Sequence, residues 1–212
     1  EFDLAGYYCQ HWLLDASKMG VPQRRERVFF IAMRKDLAEP FLYNADMFTV
    51  VPKLELIFKE REIKFGEYRT NAGKDYSHTE RGKLMEHRIK TDKCMNDINQ
   101  RLYNKNSGFN AMIWHDEEIC STVTAGETNW RYFDGMACSD DDYILTGTFP
   151  RDYDFKTNSE SGAKYMIGMS VPPIMTARIA DEIFEQWIKP LNGFEKTEAG
   201  GANFLKSFET NA

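Results

Sequence analysis

The chain has 212 residues, 42% of them hydrophobic and 28% charged, and a net charge of −6. That is enough apolar material for one core, or a core with a smaller appended lobe, and it makes disorder an expectation only for the end of the chain. No run approaches the roughly 20 apolar residues that span a bilayer, no signal-peptide pattern opens the sequence, and the acidic balance argues against a general nucleic-acid binder.

In chain order, Gly6 to Leu14 predicts a strand, and Asp15-Ala16-Ser17-Lys18-Met19-Gly20 a polar break. Val21-Pro22 leads into Gln23-Arg24-Arg25-Glu26-Arg27. The continuous apolar run Val28 to Met33 follows and predicts a strand buried on both faces of a parallel or mixed sheet. From about Lys35 to Trp114 short apolar pieces (Phe48 to Val51; Leu54 to Phe58) alternate with charged stretches, and Pro40, Pro52, Gly66, Gly73 and Gly82 break them up. This predicts an inserted lobe of small strands, short helices and loops. Ile119 to Gly126 is rich in Thr and β-branched residues and predicts a strand running into a loop. Phe149 to Phe155 is turn-rich and aromatic. Val171-Pro172-Pro173 then precedes an amphipathic helix over Ile174 to Lys189, with Met175, Ile179, Ile183 and Trp187 on one stripe and an end at Pro190. This helix is expected to pack on the Val28–Met33 strand. Beyond Phe194 the tail is polar and is expected to fray.

Cys9, Cys94, Cys120 and Cys138 form no CxxC pair, and His11, His78, His87 and His115 have neither HxH nor HxxxH spacing. No metal site is expected, and the cysteines read as reduced thiols of a cytoplasmic protein. Charge is unevenly spread. Lys53 to Lys105 holds thirteen Lys and Arg against nine Asp and Glu; Asn110 to Gly162 holds three against eleven. A basic lobe on an acidic chain is able to meet phosphates, and it is equally compatible with an ordinary solvated surface.

Three arginines between Gln23 and Arg27, at the lip of an apolar strand, admit two readings. They are either a charged loop paired with carboxylates, or guanidinium forks held at a strand end, where α/β folds open onto a ligand crevice. The stretch Gly20-Val21-Pro22-Gln23-Arg24-Arg25-Glu26-Arg27-Val28-Phe29-Phe30-Ile31-Ala32 resembles the eighth conserved block of the DNA cytosine-5 methyltransferases, GVPQxRER followed by a hydrophobic strand. Phe149 to Phe155 (FPRDYDF) is similar to the end of the ninth block, although Leu145 and Gly147 stand where the family often has Arg and Gln. Lys164 to Pro173 (KYMIGMSVPP) is similar to the tenth, YxxIGNxVPP, with Met169 in place of the usual Asn.

The resemblance implies roles. Arg27 matches the arginine that reaches O2 of a flipped cytosine, where a fixed guanidinium stabilises charge built by attack at C6. Arg25 matches a companion near the same pocket and the neighbouring phosphate. Ser170 and Val171 match contacts to S-adenosylmethionine. Ser121 to Ala125 resembles the signature closing the target recognition domain, and Thr122 matches a threonine near the target phosphate. Asn71, Lys74, Arg81, Arg88, Asn106 and Arg131 have the chemistry to read base edges, with nothing to single any out.

The implied fold is α/β. It comprises the last strands and terminal helix of a Rossmann-like methyltransferase domain, with an inserted small mixed α+β target recognition domain. The expected divisions are 1–35 for the strands with the arginine block, 36–130 for target recognition, 131–194 for the closing segment and 195–212 for the tail. No FxGxG loop, Pro-Cys dipeptide or Glu-Asn-Val block occurs in the chain. Since Glu1 is not Met, the chain is expected to begin inside a longer gene product. It is read as the DNA-recognition and closing portion of such an enzyme, inactive alone, with double-stranded DNA and an N-terminal half carrying the catalytic Cys as partners. That half belongs to the same parent chain or to a second subunit. The alternative is a stand-alone DNA-binding module or inhibitor. An isolated chain of this kind is expected to leave apolar surface exposed.

Overall fold

The computed structural model describes residues 1–42, 51–108, 111–156 and 162–192. Phe48 to Val50 and the tail beyond 192, both the subject of expectations above, lie outside the described residues. The chain divides into two compact units. Among the described residues, one holds 1–15, 26–42, 51–59 and 176–192; the other holds 16–25, 60–108, 111–156 and 162–175.

The first unit begins with an antiparallel hairpin of β1 (Tyr7–Asp15) and β2 (Glu26–Arg34). The register sets His11 opposite Phe30 and Leu13 opposite Val28. With side chains alternating across the sheet, these four share one face. Leu13 is 63% exposed, Val28 53% and Phe30 66%. The expectation of a strand buried on both faces is therefore corrected: Leu14 and Met33 are buried, while the His11–Phe30 face is open to water. The sequence run is apolar because both faces are built for burial, but within this chain one face is uncovered.

β2 runs directly into α1 (Lys35–Leu42), whose Ala38 is buried. Residues 53–58 are extended without being a strand: Leu54 and Leu56 are buried, and Glu55 and Ile57 are exposed. Burial alternates along it, but the backbone bonds to side chains instead of to a ladder. The side chain of Gln186 accepts from Glu55 N and donates to Glu55 O, both at 2.8 Å, and Trp187 Nε1 donates to Lys53 O at 2.8 Å.

Those partners come from the final helical stretch, α6 (Pro173–Ile183), a wide π turn over Phe184–Ile188, and α7 (Lys189–Asn192). The helix was expected to stop at Pro190 and does not. Lys189 N–H closes the wide turn onto Phe184 O, and Pro190 then enters the first turn of α7, where no N–H is required. Trp187 is buried, as are Met175 and Ile179 of the predicted stripe, while Ile183 is half-buried.

The second unit contains α2 (Glu80–Met85), α3 (Met95–Tyr103), the two-residue strands β3 (Ile113–Trp114) and β4 (Trp130–Arg131), α4 (Asp140–Thr146) and α5 (Gly162–Met169). Its helices start where side chains meet the first free N–H groups. Thr79 Oγ1 accepts from Gly82 N, and the Ser139 hydroxyl accepts from Asp142 N while Asp142 returns the bond to Ser139 N. Two apolar clusters fill it. Phe65, Trp114, Val123, Tyr143, Phe149 and Ile167 make one; Leu84, Met85, Met95, Ile98, Ile113 and Trp130 make the other. Between α4 and Phe149, Thr148 is buried at φ 57°, a left-handed conformation that costs a β-branched residue strain. Among the described residues no helix is long and apolar enough to cross a membrane, and no group of three potential metal ligands occurs.

Replacing Trp187 with Ala removes a buried indole together with its bond to Lys53 O. It is expected to lower stability by about 3–5 kcal/mol, measured by urea denaturation.

Candidate functional site

The segment between β1 and β2 belongs to the second unit, not to the hairpin it connects. Ala16 to Met19 form a 3-10 turn whose Ala16, Ser17 and Met19 are buried, so the expected polar break is a seated plug. Val21, Pro22, Gln23 and Arg25 are buried as well, while Lys18 and Arg24 are exposed. Alternation along an extended backbone accounts for this: Gln23 and Arg25 point inward, and Arg24 points out.

The inward side chains bond to backbone groups distant in sequence. Gln23 donates to Thr146 O at 2.9 Å and accepts from Val123 N at 3.2 Å. Arg25, 1% exposed, donates from Nη1 to Val123 O at 3.0 Å, and from Nη2 to Gly168 O at 2.8 Å and Ser170 O at 2.7 Å. The backbone joins in: Arg24 N donates to Cys120 O, and Thr122 Oγ1 donates to Arg24 O. Beneath them the Tyr68 hydroxyl lies 2.8 Å from Thr146 Oγ1 and 2.9 Å from Cys120 Sγ, and burial raises both the Tyr68 phenol and the Cys120 thiol well above their ordinary values.

Residues 119–126 were expected to start as a strand. They form a loop instead, because their backbone groups are taken by Gln23, Arg25 and Arg24 rather than by a neighbouring strand. One bridge, Gln23 to Cys120, is all the pairing this segment makes with the plug. The loop packs closely on α5. A Cβ on Gly168 would fall 2.5 Å from Ala125 N and 2.6 Å from Thr124 C, so only glycine fits that approach.

The structure thus brings together three stretches that sequence reading singled out separately: Gln23–Arg25, Thr122–Ala125 and Gly168–Val171. Ser170 Oγ turns back to Ile167 O at 2.8 Å, while Val171 and Met169 are exposed. Arg27 is half-buried at the start of β2, and its Nη1 donates to Glu26 O at 2.7 Å. Arg25 differs from the expectation of an arginine offered to a phosphate. Its guanidinium is enclosed, and carbonyl oxygens occupy the donors that a phosphate would use.

Arg131 also leaves the set of base-reading candidates. It is completely buried, paired with Asp142 at 3.3 Å and with Asp134, and donates to Thr70 O. Arg88 is committed to the carbonyls of Tyr132 and Met85. A buried cation that sequence reading missed is Lys164, which donates to Gly126 O at 2.7 Å and Glu127 O at 2.9 Å. Its place just before the tenth block, on the inward side of a helix with Ile167, was the available signal.

Gly168→Ala is expected to destabilise the chain by about 1–3 kcal/mol, because backbone and not a flexible side chain blocks the added methyl. Arg25→Met removes three charge-assisted bonds; each such bond is worth about 1.5–3 kcal/mol, and the loss should appear as a lowered melting temperature. Arg24→Ala, on the exposed side of the same plug, should leave the melting temperature within a degree or two of the parent, since surface changes cost under about 0.5 kcal/mol.

Comparison with known proteins gives a family and a fold. The fold is similar to that of a methyltransferase of Entamoeba histolytica, EhMeth (TM-score 0.52, 12% identity, covering 87% of this chain and 55% of that one). It is also similar to a putative DNA modification methyltransferase encoded within a prophage of E. coli (0.52, 14%, 87% and 63%). A third similar structure is a DNMT2 variant of Spodoptera frugiperda (0.52, 14%, 86% and 60%). These likenesses establish an α/β methyltransferase-like fold, and the chain spans about 55–63% of the length of these structures. No curated protein matches the chain. The family model for the C-5 cytosine-specific DNA methylases matches residues 1–185, and the chain belongs to that family.

Proposed function

We propose that the chain is the DNA-recognition and closing portion of an S-adenosylmethionine-dependent DNA cytosine-5 methyltransferase. The observation that carries this reading is the convergence of the arginine plug, the 121–126 loop and the 168–171 turn on one buried guanidinium. Segments about a hundred residues apart are held in one arrangement, as a site assembled from three family blocks requires. In fold terms this is the closing part of a Rossmann-like domain with an inserted target recognition domain.

The residues divide their work by exposure. Arg27, half-buried and bonded among the described residues to the neighbouring Glu26 carbonyl, is the arginine we assign to reach O2 of an extruded cytosine and stabilise the charge that develops on the ring. Arg25 is a positioning residue, since it acts through the loops it fastens. Thr122, whose hydroxyl is tied to Arg24 O, sets the distance between the plug and the recognition loop beside the target phosphate. At the 169–171 turn the apolar side chains of Met169 and Val171 stand exposed, which fits an edge of S-adenosylmethionine. Val171 and the backbone at Ser170 would hold that edge. When bound, the cofactor supplies the methyl group.

On this reading the nucleophile comes from elsewhere. Burial raises the thiols of Cys94, Cys120 and Cys138 above the ordinary cysteine range, which disfavours their thiolates. The partner we propose is an N-terminal half bearing the catalytic cysteine. The open face of His11, Leu13, Val28 and Phe30 is the surface for it, since a two-stranded ribbon with an uncovered apolar face is marginal in water.

The test is complementation. The chain alone should transfer no methyl group to duplex DNA, and mixing or co-expressing it with an N-terminal half that carries the Pro-Cys and FxGxG segments should restore transfer. Turnover by the chain alone rejects the incomplete-enzyme reading. Duplex binding with no complementation favours a stand-alone binding module or inhibitor. In the restored enzyme Arg27→Ala should lower kcat by about 100-fold or more with little change in melting temperature. Phe30→Asp should abolish complementation while leaving the helical circular dichroism intact.

A further inference from the structure

The second unit contains a cavity of about 190 Å3 whose lining includes Lys74, Tyr76, Thr128, Asp140 and Lys164. No role proposed above uses it. Its walls are chemically unusual for a structural gap. Lys164 is 5% exposed, and among the described residues no carboxylate pairs with it. Two of its three N–H groups go to the carbonyl oxygens of Gly126 and Glu127. The third has no protein acceptor among the described residues.

A buried ammonium without a paired anion is costly, and a methionine of similar length would fill the space without that cost. Lys74 adds a second amine on the same cavity, 2.9 Å from Asp140. The two ammonium groups are close enough to repel. Burial lowers the Lys164 ammonium from its ordinary value, the Glu127 carboxylate opposes that, and the charge of Lys74 adds to it. Asp140 neutralises Lys74, so the lining keeps one unbalanced positive charge, and Tyr76 and Thr128, two hydroxyl-bearing residues, line the same space.

We propose that this cavity is an anion subsite that takes a phosphate group, held by Lys164 and Lys74 and completed by the hydroxyls of Tyr76 and Thr128. The phosphate belongs to a nucleic-acid backbone or is free in solution, and both present the same tetrahedral oxyanion. The inference rests on the methyltransferase reading only for the nucleic-acid source. Lys164 has a double task here: its carbonyl bonds hold the Gly126–Glu127 loop, and its remaining donor faces the anion.

The experiment uses the full 212-residue chain and two probes. Inorganic phosphate is followed by 31P NMR titration, and a short labelled duplex by fluorescence anisotropy across a salt series. Lys74→Met is expected to weaken phosphate binding about tenfold or more, and to lower the slope of log affinity for the duplex against log salt by about 1. Lys164→Met is expected to do the same. Should it fail to fold, Lys74→Met and Thr128→Val carry the test, since both leave the bonds from Lys164 to the loop in place.

Weakening of both probes supports the subsite and assigns its source to nucleic acid; weakening of phosphate alone supports it with a free anion as source. If folded Lys74→Met and Thr128→Val bind both probes as the parent does, or the parent binds no phosphate, the proposal is overturned. Failure of the methyltransferase reading looks different: the parent would then bind phosphate without binding the duplex.

Discussion

The Arg25 guanidinium is the constraint on which the rest of the arrangement depends. Arginine stays charged at any physiological pH, so once enclosed it must keep oxygen atoms around its fork. Here those oxygens are the carbonyls of Val123, Gly168 and Ser170, and they come from two segments remote from Arg25 and from each other in sequence. Neither segment can withdraw without leaving a desolvated cation behind. Gln23 repeats the logic with neutral groups, joining Thr146 O and Val123 N. The plug between β1 and β2, the 121–126 loop and the α5 terminus accordingly behave as one piece.

Seen from the loop, the same fact has a second face. The carbonyls of Val123, Gly126 and Glu127 all accept from buried cations, Arg25 for the first and Lys164 for the other two. With its acceptors drawn inward at both ends, the loop leaves Thr124, Gly126 and Glu127 exposed. Gly168 permits this by allowing α5 to approach the loop backbone at a distance no side chain tolerates. The loop is held firmly on one side and kept open on the other, without a strand ladder to stiffen it.

Much of this was legible in the sequence, for reasons that vary by element. Apolar runs and a proline-led helical stripe located β1, β2 and α6 to within a residue or two at their starts, because local geometry sets those patterns. The arginine block and the final KYMIGMSVPP stretch stood out because they are long and specific, and Arg25 of the first bonds to Gly168 O and Ser170 O of the second. What escaped was whatever long-range contacts decide. The exposure of Val28 and Phe30 depends on what lies across the sheet face, which periodicity does not encode. Arg25 and Arg27 look alike in a string, yet one is enclosed and the other half-open. Residues 119–126 carry strand-forming side chains and become a loop because Gln23 and Arg25, a hundred positions earlier, claim their backbone. Lys164 drew no notice, since a lysine beside a tyrosine reads as surface until the carbonyls around it are seen.

The chain path through the plug bears on the order in which the molecule assembles. Residues 16–25 leave one unit, lodge in the other and return, and their bonds reach Cys120, Thr146 and Ser170. Closing loops of that length is entropically unfavourable and is repaid only when the distant carbonyls are already in place. The turns linking β1 to β2 cannot settle, therefore, until nearly the whole second unit has been made and has folded. The hairpin that opens the sequence is among the last parts to acquire its final connection.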